Sequence, residues 1–264
     1  MELPLLSRLP HSISTYWTGD ECVLPGERDL MEYVDRIAAI SPSVFEEKFR
    51  LFPSKVFRTS TGVAFDRYHR AVRCSSLPDE FRGLKRPIVG YAGIINSSRL
   101  DFALIEALVS KRRDWTFVFV GPEDEAARAR MSRLASPNVR MLGPKPYEEA
   151  AGYMRAFDVA IIPYARTRFN LGCNPLKLYE YLAVGRSVVS TDLPSVRESG
   201  DVVRVACDAE EFERCIQAAL EEQVTAETLE RRYAVAREHS AERVAVALEP
   251  VLSGFSTSVG SVCR

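Results

Sequence analysis

Residues 174–194 read NPLKLYEYLAVGRSVVSTDLP, a helix signal that runs straight into a strand signal. Asn174 is a good N-cap, Pro175 suits the first helical position and Gly185 is a good C-terminal stop. Lys177 falls in the first helical turn, where the helix dipole disfavours a cation. A positive residue there makes sense if an anion occupies the helix N-terminus, held by free backbone N–H groups and by Lys177 itself. Glu180 lies three residues on, on the same helical face. A carboxylate there can accept hydrogen bonds from ribose hydroxyls, as acidic residues do in nucleotide folds. The competing interpretation is a solvent-exposed Lys–Glu pair worth about 0.2–0.5 kcal/mol.

Outward from this stretch the same alternation repeats. Apolar, strand-like runs occupy 87–93, 115–121, 138–143, 158–164, 187–192 and 202–206. Helical patterns lie between and after them, at 100–109, 123–134, 147–157, 175–184, 210–222 and 226–239. Continuous apolar strands alternating with helices predict a parallel sheet of five or six strands, covered on both faces. Right-handed connections make this a doubly wound, Rossmann-like α/β domain over 87–240, with ligands beyond the C-terminal strand ends. The front differs: strands are predicted at 13–17, 36–41 and 55–59, with helices at 28–35 and 42–52. These are too few elements for a full domain, so 1–74 reads as a partial one. The stretch 75–86, with Pro78 and Gly83, is the linker candidate.

Composition narrows the function classes. The chain has 264 residues, 46% hydrophobic and 27% charged, which supports a packed globular core. With 35 Lys and Arg against 36 Asp and Glu, it lacks the basic surplus that nucleic-acid binding needs. No apolar run approaches the roughly 20 residues of a membrane span, and the N-terminus does not read as a signal peptide. The six cysteines, Cys22, Cys74, Cys173, Cys207, Cys215 and Cys263, are scattered. They read as small buried side chains in a reducing cytosol rather than as a disulfide or zinc framework. The three histidines, His11, His69 and His239, form no metal-spaced pair, so no metal site is predicted.

The segment Asn174-Pro175-Leu176-Lys177-Leu178-Tyr179-Glu180-Tyr181-Leu182-Ala183-Val184-Gly185, followed by VVST and a Leu-Pro turn, resembles the C-terminal domain of GT-B glycosyltransferases of the GT4 type. It is most similar to the teichuronic-acid-type subgroup. IVGYAG (88–93), DWTFVFVGP (114–122), NVRMLGPKPYEE (138–149) and AFDVAIIPY (156–164) fit in the same order. TGVAFDRYH (61–69) resembles the stretch that opens the interdomain linker. The resemblance implies a GT-B fold and transfer of a sugar, with retention of configuration, from a UDP- or GDP-sugar. The acceptor would be a glycan, a lipid or another molecule in polysaccharide or cell-envelope biosynthesis. It implies Arg99 and Lys177 facing the diphosphate, Glu180 on the ribose, Gly93 allowing backbone approach, and Leu142 and Gly143 at the nucleobase. Asn174 and Pro175 belong to the same donor site, and no metal or other cofactor is implied. The first glutamate of the family's Glu-x7-Glu motif falls at Gly172, and the usual basic residue after Gly93 is Ile94.

The resemblance also implies a longer front. Relatives have a complete N-terminal Rossmann domain, of which this chain lacks about one hundred residues by domain-size reasoning. A His commonly follows the strand that matches ISTYW; Trp17 stands there. Asp20 and Glu21 are then the carboxylates nearest the expected cleft, with Asp20 the catalytic candidate and a solvated loop its plain alternative. A half sheet is expected to be poorly ordered over 1–70 or covered by a partner chain or second copy. The apolar face of 241–264, with Val244, Ala247, Leu248, Val251 and Leu252, is expected to return onto residues 30–51 or pair between subunits. The location expected is cytoplasmic, with peripheral contact at the inner membrane face left open. Two other classes stand beside the transferase: a non-catalytic nucleotide-sugar-binding remnant or split subunit, and a nicotinamide-dependent oxidoreductase. For the last, Gly90-Tyr91-Ala92-Gly93 is only a fragment of the required fingerprint.

Overall fold

The computed structural model describes residues 13–18, 26–73, 76–134 and 136–252. The front runs β1 (Thr15–Thr18), α1 (Glu27–Tyr33), β2 (Arg36–Ala39), α2 (Pro42–Leu51) and β3 (Val56–Arg58), followed by α3 (Phe65–Ala71). After a 3-10 turn at Asp79–Phe81 come β4 (Ile88–Ala92), α4 (Phe102–Lys111), β5 (Thr116–Val120), α5 (Glu125–Leu134) and β6 (Val139–Met141). The chain continues through α6 (Ala150–Arg155), β7 (Val159–Ile162), α7 (Arg168–Leu171), α8 (Leu176–Ala183), β8 (Ser187–Thr191) and α9 (Pro194–Arg197). It ends on β9 (Val203–Ala206), α10 (Ala209–Glu221), α11 (Ala226–Glu238) and α12 (Ala241–Leu252).

Six strands form one parallel sheet in the order β6-β5-β4-β7-β8-β9. This is the doubly wound order expected for 87–240, and it reverses direction between β4 and β7. Loops leaving those two strands part to opposite faces and open a crevice at their C-terminal ends. Every position of β4, β5, β7 and β8 is buried, which explains why they read as unbroken apolar runs. Gly90 is required in β4 because a Cβ there would fall 2.1 Å from the Phe157 ring. Gly121, at φ 141°, is required after β5 because a Cβ would meet the Gly93 carbonyl oxygen at 2.1 Å.

Side-chain caps move the helix starts inward from the periodic pattern. Asp101 accepts from the Leu104 N–H at 3.0 Å, so α4 begins at Phe102. Asp124 accepts from the Ala127 N–H at 2.7 Å and, with its other oxygen, from the Ser97 N–H at 2.8 Å. That second bond ties the loop after β4 to the start of α5. Residues 147–149, expected as helix, instead form a turn in which Glu149 N–H bonds the Pro146 carbonyl at 3.0 Å. The short helices α3, α7 and α9 were not expected.

The front forms a three-stranded parallel sheet, β1-β2-β3, over a cluster of Leu30, Met31, Val34, Ile37, Ala39, Val44 and Val56. The apolar residues of described positions 26–59 pack on one another within this chain. Val63, Phe65 and Tyr68 already belong to the large cluster under the six-stranded sheet, ahead of the 75–86 stretch. Within the chain, the main contact of the last helix is not with residues 30–51 as expected. Helix α12 packs on α11, and its start is fixed by the Ala241 N–H bonding the Val63 carbonyl at 2.9 Å. Anchored there, it leaves Ala245, Val246 and Ala247 exposed, Val246 by 68%. Of the described cysteines, Cys173 is buried as expected, but Cys207 is exposed because it sits in the turn between β9 and α10. Among the described residues no helix is long and apolar enough to cross a membrane.

Candidate functional site

The crevice between β4 and β7 is a cavity of about 310 Å³. Gly93, Arg99, Asn174, Pro175, Lys177 and Glu180 line it, together with Tyr164, Cys173 and, from the front, Ile40. Six residues singled out in the sequence thus converge. The cavity lies on the seam between the two sheets, which is stitched by Ser43 Oγ donating to the Leu171 carbonyl at 3.1 Å and by an Arg58–Glu198 ion pair.

Asn174 does not cap the helix, contrary to expectation. The helix begins at Leu176, Pro175 stands at the cap position, and no side chain bonds the first N–H groups. The Asn174 amide is spent elsewhere: its Nδ2 donates to the Ile40 carbonyl at 3.0 Å and to Ser60 Oγ at 3.4 Å. Its Oδ1 accepts from the Tyr179 hydroxyl at 2.9 Å. A buried amide satisfies more of its bonding capacity this way than in a single cap bond. The helix N-terminus is left open toward the cavity, with its partial positive charge uncompensated by a side chain. The C-terminal stop is as read: Gly185 adopts φ 75°, and the Arg186 N–H reaches back to the Tyr181 carbonyl at 2.9 Å.

Lys177 points along the cavity wall. Its Nζ donates to the Tyr164 hydroxyl at 2.6 Å and sits 5.0 Å from the Tyr91 ring centroid and 4.9 Å from that of Tyr164. Gly93, at φ 142°, makes room for it; a Cβ there would lie 3.0 Å from Lys177 Cε. Burial pushes the ammonium pKa down, but the Tyr91 and Tyr164 hydroxyls outweigh it and hold the pKa above the ordinary lysine value. Burial pushes Tyr164 up, but Lys177 and Arg99 together bring its hydroxyl below the ordinary tyrosine value. The Arg99 guanidinium lies 4.7 Å from the Phe169 ring centroid and 5.9 Å from that of Tyr164. Two cations therefore border one cavity, beside an open helix N-terminus.

Glu180 is 8% exposed, and its Oε1 accepts from the Tyr68 hydroxyl at 2.6 Å. Burial raises its carboxyl pKa, against the opposing pull of the Tyr68 bond and Lys177. The solvent-exposed Lys–Glu pair is thereby excluded: Lys177 bonds Tyr164, Glu180 bonds Tyr68, and they form no ion pair with each other.

Leu142 and Gly143 do not line this cavity. The Leu142 N–H bonds the Phe119 carbonyl at 2.9 Å, and the Gly143 carbonyl accepts from Gly121 N–H at 2.9 Å. What they offer a ligand is the Leu142 carbonyl and the Gly143 N–H, across the Gly121 turn. Asp20 lies outside the described residues. Gly172 is buried and its N–H bonds the Arg168 carbonyl at 3.3 Å, while Ile94 is 61% exposed beside the cavity. Tyr68, Tyr91, Tyr164 and Ile40 were missed. Tyr164 had a signal, a hydroxyl-bearing residue closing a strand; Tyr68 lies in TGVAFDRYH (61–69), a stretch whose resemblance pointed to a linker and not to a site.

The family model described as "Glycosyl transferases group 1" matches residues 86–222. The teichuronic acid biosynthesis glycosyltransferase TuaH of Bacillus subtilis is 31% identical over 175 residues, 64% of this chain and 43% of that protein. The chain thus spans less than half the length of this curated relative. Among solved structures, the HepE protein of Anabaena in complex with UDP and glucose aligns with a TM-score of 0.72 at 16% identity, over 95% of this chain and 73% of that one. WaaG, a glycosyltransferase involved in lipopolysaccharide biosynthesis, aligns with a TM-score of 0.64 at 12% identity, over 91% and 75%. At these identities the structural likeness establishes the fold, GT-B with Rossmann-like parallel sheets.

Proposed function

This chain belongs to the group 1 glycosyl transferases, and from that premise we propose that the cavity between β4 and β7 holds a nucleotide-diphospho-sugar. The sugar is transferred to a glycan or lipid acceptor in polysaccharide or cell-envelope biosynthesis. The observation that carries this reading is the meeting of an uncapped helix N-terminus with Lys177 and Arg99 at one cavity. A diphosphate leaving group develops negative charge as the glycosidic bond breaks, and fixed positive groups aimed at it lower the barrier. Lys177 is held in place by Tyr164, so little reorganisation is needed when that charge appears. In this reading these groups supply the neutralisation, with no resident metal or other cofactor invoked, and the anomeric configuration is retained. Glu180 takes the ribose, and the Leu142 carbonyl with the Gly143 N–H faces the nucleobase. UDP is the favoured nucleotide, because the fold neighbour HepE carries UDP.

Calorimetry with UDP and GDP tests the site. Lys177→Ala is expected to weaken binding more than Glu180→Gln does, since it removes a charge facing a polyanion. Wild-type-like affinity in both variants would overturn the assignment. Incubation with UDP- and GDP-sugars, assayed for nucleotide release, then tests turnover. Donor binding with no release would assign this chain the non-catalytic, donor-holding role and leave transfer to a more complete protein.

A further inference from the structure

Helix α3 lies largely within the TGVAFDRYH stretch (61–69) and reaches the cavity through one side chain that bonds Glu180 on its wall. It packs against α8 and α6, and Tyr68 on it is 1% exposed. Phe65 stacks on His69 at 5.1 Å, and Tyr147 meets the Tyr68 ring edge-on at 6.3 Å, so the tyrosine sits in a packed aromatic setting. Its hydroxyl donates to Glu180 Oε1 at 2.6 Å, within the short range of charge-assisted O–H···O⁻ bonds.

We propose that Tyr68 is a positioning residue that makes the donor site selective for ribose. The inference rests on the reading of this cavity as a nucleotide site. A carboxylate offers about four acceptor positions on two oxygens, and a glutamate side chain can rotate among several orientations. Tyr68 occupies Oε1 and thereby pins the carboxylate plane. The remaining acceptor capacity is presented in one orientation to a pair of hydroxyls, which donate to it. A site built around such an acceptor rejects a ligand lacking those hydroxyls, because the buried carboxylate is then left short of partners. Burial pushes the Tyr68 hydroxyl pKa far up, so it acts only as a donor and does not compete for the ribose protons.

The experiment titrates UDP and 2′,3′-dideoxy-UDP into the wild type, Tyr68→Phe, Glu180→Gln and the double variant, with melting temperatures recorded for each. The wild type is expected to prefer UDP by about tenfold, one charged hydrogen bond's worth of discrimination. Tyr68→Phe should reduce that preference to about twofold with the affinity for the dideoxy ligand nearly unchanged. The double variant should lose no more than Glu180→Gln alone, since both act through one carboxylate. An equal loss of affinity for both nucleotides in Tyr68→Phe would reveal a merely structural role and overturn the proposal. So would an undiminished preference for UDP, and in both cases the donor-site reading would survive. Failure of the wild type to bind either nucleotide would instead remove the donor-site reading, and this inference with it.

Discussion

Both sheets of this protein are parallel, but they are held together by different means. The six-stranded sheet buries every position of β4, β5, β7 and β8 in one continuous apolar cluster. The three-stranded sheet rests on a cluster of seven residues, and its edge strand β1 leaves Trp17 47% exposed. In place of apolar bulk it contains an ion pair, Lys48 Nζ to Glu27 Oε1 at 3.1 Å, with both side chains almost fully buried. Tyr16 adds a bond to the same carboxylate at 3.2 Å. A larger layer can satisfy itself with hydrocarbon; a small one has less to bury and depends more on a few polar contacts.

The largest effect that tests this contrast comes from adding one methyl group in each region. Gly121→Ala forces a Cβ to within 2.1 Å of a backbone oxygen at φ 141°. It should destabilise the large sheet by more than about 4 kcal/mol. Gly26→Ala, at φ 80° with open space around it, should cost about 1–2 kcal/mol. Urea denaturation followed by circular dichroism compares them, and equal costs would erase the distinction in packing.

Breaking the buried pair comes next. Lys48→Met strands Glu27 without its counter-charge and should cost about 3–5 kcal/mol, whereas Lys48→Met combined with Glu27→Leu should recover most of that. If the single variant denatures like the wild type, the ion pair is not what holds the small sheet.

The seam between the sheets should respond to acid. His239 Nδ1 lies 2.6 Å from Ser60 Oγ and its ring stacks on Tyr179 at 4.0 Å. Burial, with a smaller contribution from Arg58 and against Glu238, takes its pKa from 6.5 down to about 4. The unfolded chain therefore takes up a proton at higher pH than the folded one. The contribution is fully present above pH 6.5 and is lost as pH falls toward 4, on the order of 2 kcal/mol by pH 5. Melting temperatures at pH 7.5 and pH 5 should fall further in the wild type than in His239→Gln; equal falls would show that this histidine is not buried neutral.

The smallest expected effect is one the two regions should share. Ser41 caps α2 through the Val44 N–H at 3.3 Å, and Asp101 caps α4 through the Leu104 N–H at 3.0 Å. Replacing either by alanine should cost about 1 kcal/mol. A cap is local, so a much larger loss at Ser41 would mean that the small sheet also depends on the position of its helix start.

The sequence by itself determined the order along the chain of the six strands of the large sheet, four of them buried throughout, and the helix that carries Lys177 and Glu180. Those features rest on spacing along the chain: unbroken apolar runs, a 3.6-residue period and a glycine stop are all local. Tertiary structure decided what each side chain was bonded to. Asn174 had the right identity for a cap, yet its partners are Ile40 and Ser60, more than one hundred residues upstream. Glu180 had a legible face but an illegible partner, because Tyr68 lies on a short helix that packing rather than pattern holds in place. The apolar positions of α12 predicted a buried face, and the fold leaves Val244, Leu248 and Val251 half-buried and Ala247 exposed. The physical reason is the same in each case. A periodic pattern reports which face of an element prefers to leave water, while a hydrogen-bond partner or a covering surface is set only when distant segments are brought together.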